Sequence, residues 1–230
     1  MVNDALSLST GAGWNQTMAD WLALMSDSPD GCLGMACDGK IVATTTLVCY
    51  EKRLAWIGMV LTHPDYRRRG FARTLVSRAM ELAREREVRT IKLDATDQGR
   101  PLYQSLGFRD EQPVERWGCD VTSIEEYRLR TPPFIDDGGY LLHRPGIRAH
   151  YLGPCVASDP QTAERLFRRA IDHICADHYF WDLLPANANA VSLAQRLGFG
   201  PLRKLTRMVW GPDTPEDQSR IYAIAGFEWG

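Results

Sequence analysis

The chain has 230 residues, of which 44% are hydrophobic and 24% charged, so disordered, collagen-like and coiled-coil classes are excluded. Lysine and arginine number 27 and aspartate and glutamate 29, and this formal charge of −2 gives no reason to expect nucleic acid or acidic lipid as a partner. The sequence shows no membrane span, signal-peptide pattern, CxxC pair or histidine spacing for a metal, so we expect a cytoplasmic protein without a metal site.

Four elements are predicted before residue 63. Apolar residues at three- and four-residue spacing predict a first helix from Trp14 to Met25. Two β-like runs, 32–37 and 41–50, flank Asp38-Gly39, a dipeptide that tolerates the positive φ angles of a tight turn, so they predict a β-hairpin. A third run, 54–62, follows a polar turn and extends the hairpin to an antiparallel meander.

From Gly70 the hydrophobic period changes to that of a helix, and an apolar stripe predicts a long one. Because this helix joins the strands near Val60 and Ile91, we expect those two strands to run parallel. Three further elements are predicted: a strand over 90–93, a short helix over 102–106 and a strand from Phe108. The order predicts an α/β fold, in which helices flank a central mixed sheet.

The second half of the chain repeats the first at a displacement of 91 residues. The stretch 103–108 (YQSLGF) has a counterpart in 194–199 (AQRLGF), and the apolar stripe of the long helix recurs at the same offset. A shared offset for two elements indicates a duplicated unit. We therefore expect two domains of similar topology, 1–125 and 126–230, with a linker at 131–139 that is rich in Pro, Asp and Gly.

The stretch richest in chemistry is 67–74, which we call the cradle, between the third strand and the long helix. Three consecutive arginines, 67–69, precede Gly70. The first amides of a helix have no intrahelical partner, and the helix dipole adds positive charge there. Glycine at position 70 lets the backbone approach a ligand closely, and the small Ala72 keeps that approach open. The pattern predicts a phosphate site, most naturally for a pyrophosphate.

The cradle resembles the acyl-CoA signature of the GNAT superfamily of N-acetyltransferases. Its pattern Arg67-x-x-Gly70-x-Ala72 follows a strand that ends in a turn with Pro64, and it is similar to the superfamily's R/Q-x-x-G-x-G/A. The resemblance implies that the strand is splayed by a bulge, that its backbone pairs with the pantetheine arm and that the cradle amides hold the diphosphate. The residues implied to bind acetyl-CoA are Val60, Leu61, Thr62, Arg67, Arg68, Arg69, Gly70, Phe71, Ala72, Arg73, Thr74 and Tyr103.

A second motif shows the same resemblance. Leu102-Tyr103, followed by Gly107-Phe108, is similar to the superfamily's L-Y-x-x-x-G-F pattern. Tyr103 matches the tyrosine that lies beside the sulfur of CoA and protonates the departing thiolate. The superfamily often has Asn seven residues before that tyrosine, whereas this chain has Thr96 there.

The C-terminal half resembles the second, GNAT-like domain of bacterial tandem-GNAT proteins, but it lacks the cradle. The offset of 91 places residues 158–163 there, with neither arginine nor glycine. Asp159 predicts a helix cap that puts negative charge where a phosphate would lie. Ala194 replaces the tyrosine. We expect this domain not to bind CoA in the same mode, and to be structural or to form one wall of an acceptor pocket.

Acylation of an amine also needs a group that takes up a proton. Many GNAT members have a glutamate on the central strand, but residues 54–59 contain no carboxylate. Asp94 is the first candidate for the base and His63 the second, although Asp94 also fits a turn cap and His63 a surface position; a water chain stays open as a third route. Candidates either for lining the acceptor pocket or for the core are Trp14, Asn15, Trp56 and residues 179–182.

The sequence thus predicts an N-acetyltransferase that transfers an acetyl group from acetyl-CoA directly to a primary amine, with Tyr103 and Asp94 as catalytic residues. A cysteine intermediate is not expected, because no cysteine adjoins the predicted acyl position with an obvious base. The alternative is a non-catalytic acyl-CoA-binding module, for example a sensor. The acceptor, a small-molecule or peptide amine, and the oligomeric state stay open, and neither nucleic acid nor a membrane is expected as a partner.

Overall fold

The computed structural model of the chain describes residues 2–120, 133–214 and 216–230. It confirms the predicted fold class, because helices flank parallel and antiparallel strands in a mixed α/β arrangement. Within these ranges, no helix combines the length and the apolar character needed to cross a lipid bilayer.

The described residues form two compact units. The first unit contains the residues up to Glu111 and also Arg207–Thr214 and Phe227–Gly230, which come from the far end of the sequence. The second unit contains the residues between these segments. The predicted boundary at residue 125 lies outside the described residues and stays a prediction.

The first unit begins with two helices, followed by three antiparallel strands, a long helix, a fourth strand and a short helix. Its elements are α1 (Val2–Gly11), α2 (Met18–Asp27), β1 (Cys32–Cys37), β2 (Lys40–Tyr50), β3 (Leu54–Thr62), α3 (Phe71–Glu85), β4 (Thr90–Ala95), α4 (Arg100–Ser105) and the first residues of β5 (Arg109–Asp120). The strands lie in the order β1-β2-β3-β4. Adjacent residues of β2 enter different clusters: Leu47 packs with the buried side of α3, and Val48 packs with α1 and α2.

The second unit repeats this plan. Its elements are the rest of β5, β6 (Phe134–Asp136), β7 (Gly139–Arg144), β8 (His150–Ala157), α5 (Pro160–Ile174), β9 (His178–Leu183), α6 (Ala188–Arg196), most of β10 (Gly200–Trp210) and β11 (Ile221–Ala223). β8 and β9 run parallel and are joined by α5, as β3 and β4 are joined by α3. The duplication predicted from the sequence is therefore confirmed in the topology.

Two predictions about local structure are wrong in part. The helix predicted from Trp14 to Met25 is α2, which starts at Met18 because Thr17 caps it. The Thr17 side chain accepts a hydrogen bond from the Asp20 amide, and the Asp20 carboxylate accepts one from the Thr17 amide at 2.7 Å. The polar helix α1 before it was not predicted. The described part of the predicted linker, 133–139, forms β6 and the turn into β7, because its glycines serve a tight turn between paired strands.

The hairpin of β1 and β2 is confirmed. Its two-residue loop consists of Asp38 and Gly39, whose φ angles of 50° and 76° are those of a turn that matches the twist of the strands.

We predict that Thr17→Ala lowers the free energy of unfolding by about 1 kcal/mol, because the capping box of α2 is lost. Urea denaturation followed by circular dichroism measures the change. Thr10→Ala, the same substitution at an exposed site in α1, should leave the stability nearly unchanged. Equal effects of the two substitutions would show that the cap contributes nothing.

Candidate functional site

The parallel strands β3 and β4 separate just before the cradle. Their pairing ends at Trp56 and Lys92. Beyond that point β3 carries a bulge relative to β2, where Met59 adopts a left-handed φ of 50°. The Thr44 hydroxyl donates to the Met59 carbonyl at 2.8 Å and holds the bulge in place. Because a bulge bends its strand, the last residues of β3 leave β4, as the resemblance implied.

The cradle has the backbone geometry of an anion site. Arg68 and Gly70 are both left-handed, with φ angles of 61° and 84°, and the 15-residue helix α3 begins at Phe71 without a side-chain cap. A Cβ added to Gly70 would meet no atom within 4 Å, so the space in front of the first amides is open. An uncapped helix start with alternating backbone conformations directs several N–H groups at one position, which suits a phosphate.

The arginine side chains of the cradle are exposed, whereas Phe71 and Ala72 are half-buried, and two of the arginines are anchored to main-chain carbonyls that precede α3. Arg67 donates to the Thr62 carbonyl at 3.3 Å, and Arg69 donates to the Asp65 carbonyl at 3.1 Å while lying 4.8 Å from the centre of the Tyr66 ring. These contacts hold positive charge beside the open amides.

Tyr103 lies on α4 and is 7% exposed. Burial raises the pKa of its phenol, so the hydroxyl stays protonated at neutral pH. Its ring meets Phe108 edge-on at 6.1 Å, and Val60 packs against the same cluster. Arg73 in the cradle donates to the Ser105 hydroxyl at 2.6 Å, which ties the start of α3 to α4.

Thr96, at the position where the superfamily often has Asn, stabilises the turn before α4. Its hydroxyl accepts a hydrogen bond from the Gly99 amide at 3.1 Å, and its carbonyl accepts one from the Arg100 amide at 2.9 Å. These bonds fix the turn that leads into α4.

The two base candidates differ in their surroundings. The Asp94 carboxylate is fully buried and accepts two hydrogen bonds from Arg207, at 2.9 and 3.1 Å, and the guanidinium lies 4.6 Å from the centre of the Trp56 ring. This arrangement gives Asp94 a structural role, and its assignment as the base stays a prediction. His63 is exposed, and its Nδ1 accepts a hydrogen bond from the Asp65 amide at 3.3 Å.

The candidates for lining an acceptor pocket lie mainly in the cores. Trp56 is buried, and Trp14 packs against the cluster of α1 and α2. In the second unit, Trp181 stacks on Phe167 with ring centres 3.7 Å apart, and the buried Asp182 carboxylate accepts two hydrogen bonds from one arginine. Asn15 is also buried.

In the second unit a carboxylate caps the N-terminus of α5, whereas in the first unit the N-terminus of α3 has no side-chain cap. Asp159 caps α5 and accepts a hydrogen bond from the Thr162 amide at 2.8 Å, as predicted. Hydrogen bonds from the Ser158 hydroxyl and then from Thr162 lower the pKa of Asp159 to about 2. Ala194, at the position of Tyr103, is buried in the core.

A cleft of about 460 Å³ opens beside the end of β3 in the first unit. Asp4 and Lys40 line one part of it, and His63 and Arg67 line another. Its volume is that of a small-molecule site. Among the described residues, no three His, Cys, Asp or Glu side chains are grouped closely enough to hold a metal ion.

Besides α1, the sequence did not predict that the segment 227–230 belongs to the first unit. The Glu228 carboxylate is buried there and accepts a hydrogen bond from Gln16 Nε2 at 2.9 Å. The sequence gives no local signal for this contact, because its partners are 212 positions apart.

Two family models match the chain. The model of the acetyltransferase (GNAT) family matches residues 4–108, and that of an acetyltransferase (GNAT) domain matches residues 135–223. The chain therefore belongs to the GNAT family of acyltransferase enzymes and carries two GNAT domains in tandem.

Individual relatives agree with this assignment. The chain is 29% identical to the uncharacterized N-acetyltransferase YitH of Bacillus subtilis over 118 residues, which are 51% of this chain and 41% of YitH. It spans 41 to 49% of the length of the curated relatives that it matches.

Solved structures share the fold. A Pyrococcus horikoshii protein, provisionally assigned as an acetyltransferase, superposes with a TM-score of 0.81 at 22% identity over 100% of this chain and 92% of its own. A tandem GNAT protein from the clavulanic acid biosynthesis pathway gives a TM-score of 0.65 at 14% identity, over 93% of this chain and 96% of its own. At these identities the likeness shows the fold alone.

We predict that Asp94→Asn lowers the free energy of unfolding by about 3 kcal/mol or more, because it leaves Arg207 buried beside a neutral amide. Glu81→Gln, which breaks an exposed ion pair on α3, should change stability by less than about 1 kcal/mol. Urea denaturation of both variants measures the difference. A fully stable Asp94→Asn would show that the ion pair is not a structural requirement.

Proposed function

We propose that the chain transfers an acetyl group from acetyl-CoA directly to a primary amine. The observation that carries the proposal is the uncapped start of α3, where open space faces the amides after Gly70. Family membership supports acyl transfer in general, and the cradle supports CoA as the carrier of the acyl group.

The residues of the cradle fit the diphosphate of CoA. The amides of residues 67–74 would hold the two phosphates, and the exposed guanidinium groups of Arg67, Arg68 and Arg69 add positive charge. Acetyl-CoA supplies the acetyl group in activated form, as a thioester. The backbone of Val60, Leu61 and Thr62 would align the pantetheine arm, because β3 has left β4 at that point.

The reaction requires two proton movements. An amine with a pKa of about 10.4 has to lose a proton, which costs about 4.6 kcal/mol at pH 7. Asp94, His63 and a water chain are the proposed routes, and the ion pair of Asp94 with Arg207 makes water the simplest of the three. The departing thiolate has to gain a proton, and we assign Tyr103 to donate it, because burial keeps its phenol protonated.

Cysteine chemistry has no part in this proposal. Burial raises the pKa of Cys32 to about 11 and raises that of Cys155 as well, so both are neutral thiols at pH 7 and weak nucleophiles. All six cysteines are free, which agrees with the proposed cytoplasmic location.

We predict that Gly70→Asp weakens CoA binding by about 100-fold, or about 2.8 kcal/mol, because it puts a side chain and a negative charge beside the first amides of α3. Gly39→Asp is the matched control: Gly39 is also left-handed, with φ of 76°, and a Cβ there also meets no atom within 4 Å. Calorimetric titration with CoA should show binding to the wild type and the control alone. Undiminished binding to Gly70→Asp would refute the cradle.

We predict that Tyr103→Phe lowers kcat by about 100-fold, the usual scale for a lost general acid, and changes CoA affinity little. Release of free thiol from acetyl-CoA in the presence of an amine panel measures turnover. Tyr140→Phe, at an exposed position in the second unit, should retain full activity. If the wild type binds CoA but releases no thiol with any amine, the chain is an acyl-CoA-binding module instead of an enzyme.

A further inference from the structure

The segment 227–230 is fixed against β2 and β3 in the first unit. Tyr50 donates its hydroxyl to the Trp229 carbonyl at 2.6 Å, and Trp56 Nε1 donates to the Phe227 carbonyl at 2.9 Å. These two donors come from neighbouring strands and hold the main chain on both sides of Glu228. The Glu228 side chain, which is 1% exposed, is thereby fixed in the interior of the unit.

Gly58 on β3 makes this position possible. A Cβ on Gly58 would lie 2.8 Å from the Glu228 carbonyl oxygen, 3.0 Å from its Cα and 3.2 Å from the Thr46 hydroxyl oxygen. The main chain of Glu228 and the Thr46 hydroxyl therefore both lie beside Gly58, where any larger residue would push them away. Gly58 is two residues before Val60, the residue proposed to lie along the pantetheine arm.

Two residues around Glu228 carry buried oxygen atoms that lack a partner within the described ranges: Gln16, which bonds to the Glu228 carboxylate, and Thr46, which lies beside Gly58 and the Glu228 main chain. Gln16 Nε2 donates to Glu228 Oε2 at 2.9 Å, and since a carboxylate only accepts, this bond fixes the orientation of the amide. Gln16 Oε1 and the Thr46 hydroxyl are buried without a hydrogen-bond partner among the described residues. Buried polar atoms of this kind are rare in native proteins and cost about 1–3 kcal/mol each. A bound donor would satisfy both atoms.

We propose that Glu228, Gln16 and Thr46 form a binding site for the primary ammonium group of the acceptor. This inference rests on the proposed function and adds the residues that bind its second substrate. An ammonium group carries three N–H donors and one positive charge, and the cluster offers a carboxylate, an amide oxygen and a hydroxyl oxygen. An alcohol has one donor and no charge, so the cluster favours the ammonium group.

The site also places a carboxylate where the reaction needs one. The bound ammonium group lies near the acyl position on β3 and has to lose a proton before its nitrogen can attack. In this proposal Glu228 accepts that proton in place of Asp94, His63 or the water chain, and it supplies the carboxylate that residues 54–59 of the strand lack.

Titration of the isotope-labelled full chain with n-butylammonium chloride, followed by NMR, tests the site. The probe signals are the side-chain NH₂ resonances of Gln16, identified by their loss in Gln16→Met. We expect them to shift and saturate with n-butylammonium and to stay in place with n-butanol, its uncharged counterpart. No shift, or an equal shift with n-butanol, overturns the proposal.

Two variants extend the test. Glu228→Gln keeps the shape of the side chain and should weaken n-butylammonium binding at least tenfold, whereas Glu87→Gln, at an exposed carboxylate paired with Lys52, should leave binding unchanged. Unchanged binding in a folded Glu228→Gln overturns the proposal. If Glu228→Gln does not fold, Thr46→Val is the second variant: it should bind the ammonium more weakly while staying folded, and unchanged binding there overturns the proposal equally.

CoA titration of the same samples separates this inference from the proposed function. CoA binding without an ammonium response overturns the ammonium site alone. An ammonium response without CoA binding supports the site and counts against acetyl transfer from CoA.

Discussion

The open N-terminus of α3 is the constraint on which the chemistry of the chain depends. A helix start leaves several amides without a partner, and a protein satisfies them with a side chain, with water or with a ligand. In the first unit Gly70 supplies no side chain, so the amides stay accessible to an anion. In the second unit the Asp159 carboxylate satisfies the equivalent amides of α5, and its negative charge repels a phosphate. The residue at the N-cap position is thus what distinguishes the open start of α3 from the capped start of α5.

β3 lies next to both proposed binding sites, the one for acetyl-CoA and the one for the acceptor amine. Its bulge at Met59 turns the end of the strand away from β4, where the proposed function places the pantetheine arm of the thioester carrier. Just before the bulge, Gly58 lets the segment 227–230 come close, so that the main chain of Glu228 lies against the strand. The same strand is therefore proposed to orient the acyl group through its backbone, and its Gly58, which has no side chain, leaves room for the main chain of Glu228. The GNAT fold is common to the family, and our proposals for what this member binds rest on these local features.

Burial explains why so few of the ionisable groups near the site are available for catalysis. The Asp94 carboxylate is held by Arg207, and Cys32 has a pKa raised by burial, so neither is an obvious base or nucleophile. Tyr103 is also buried, and the raised pKa of its phenol keeps the hydroxyl protonated at neutral pH, as a proton donor requires. Burial therefore disfavours groups that the reaction would need in their charged form, such as a thiolate, and favours a group that it needs in its neutral form, such as the Tyr103 phenol.

The sequence by itself determined the hairpin, α3, the duplication and the cradle, because each is encoded by neighbouring residues: a turn dipeptide, a helical stripe, a repeated stretch, or eight consecutive positions around Gly70. It did not show α1, whose polar residues form only a weak stripe. The tertiary structure decided the partners of Asp94 and Glu228. Arg207 is 113 positions from Asp94, and Gln16 is 212 positions from Glu228. Such pairs depend on how the strands and the segment 227–230 pack. Local periodicity in the sequence does not predict that packing.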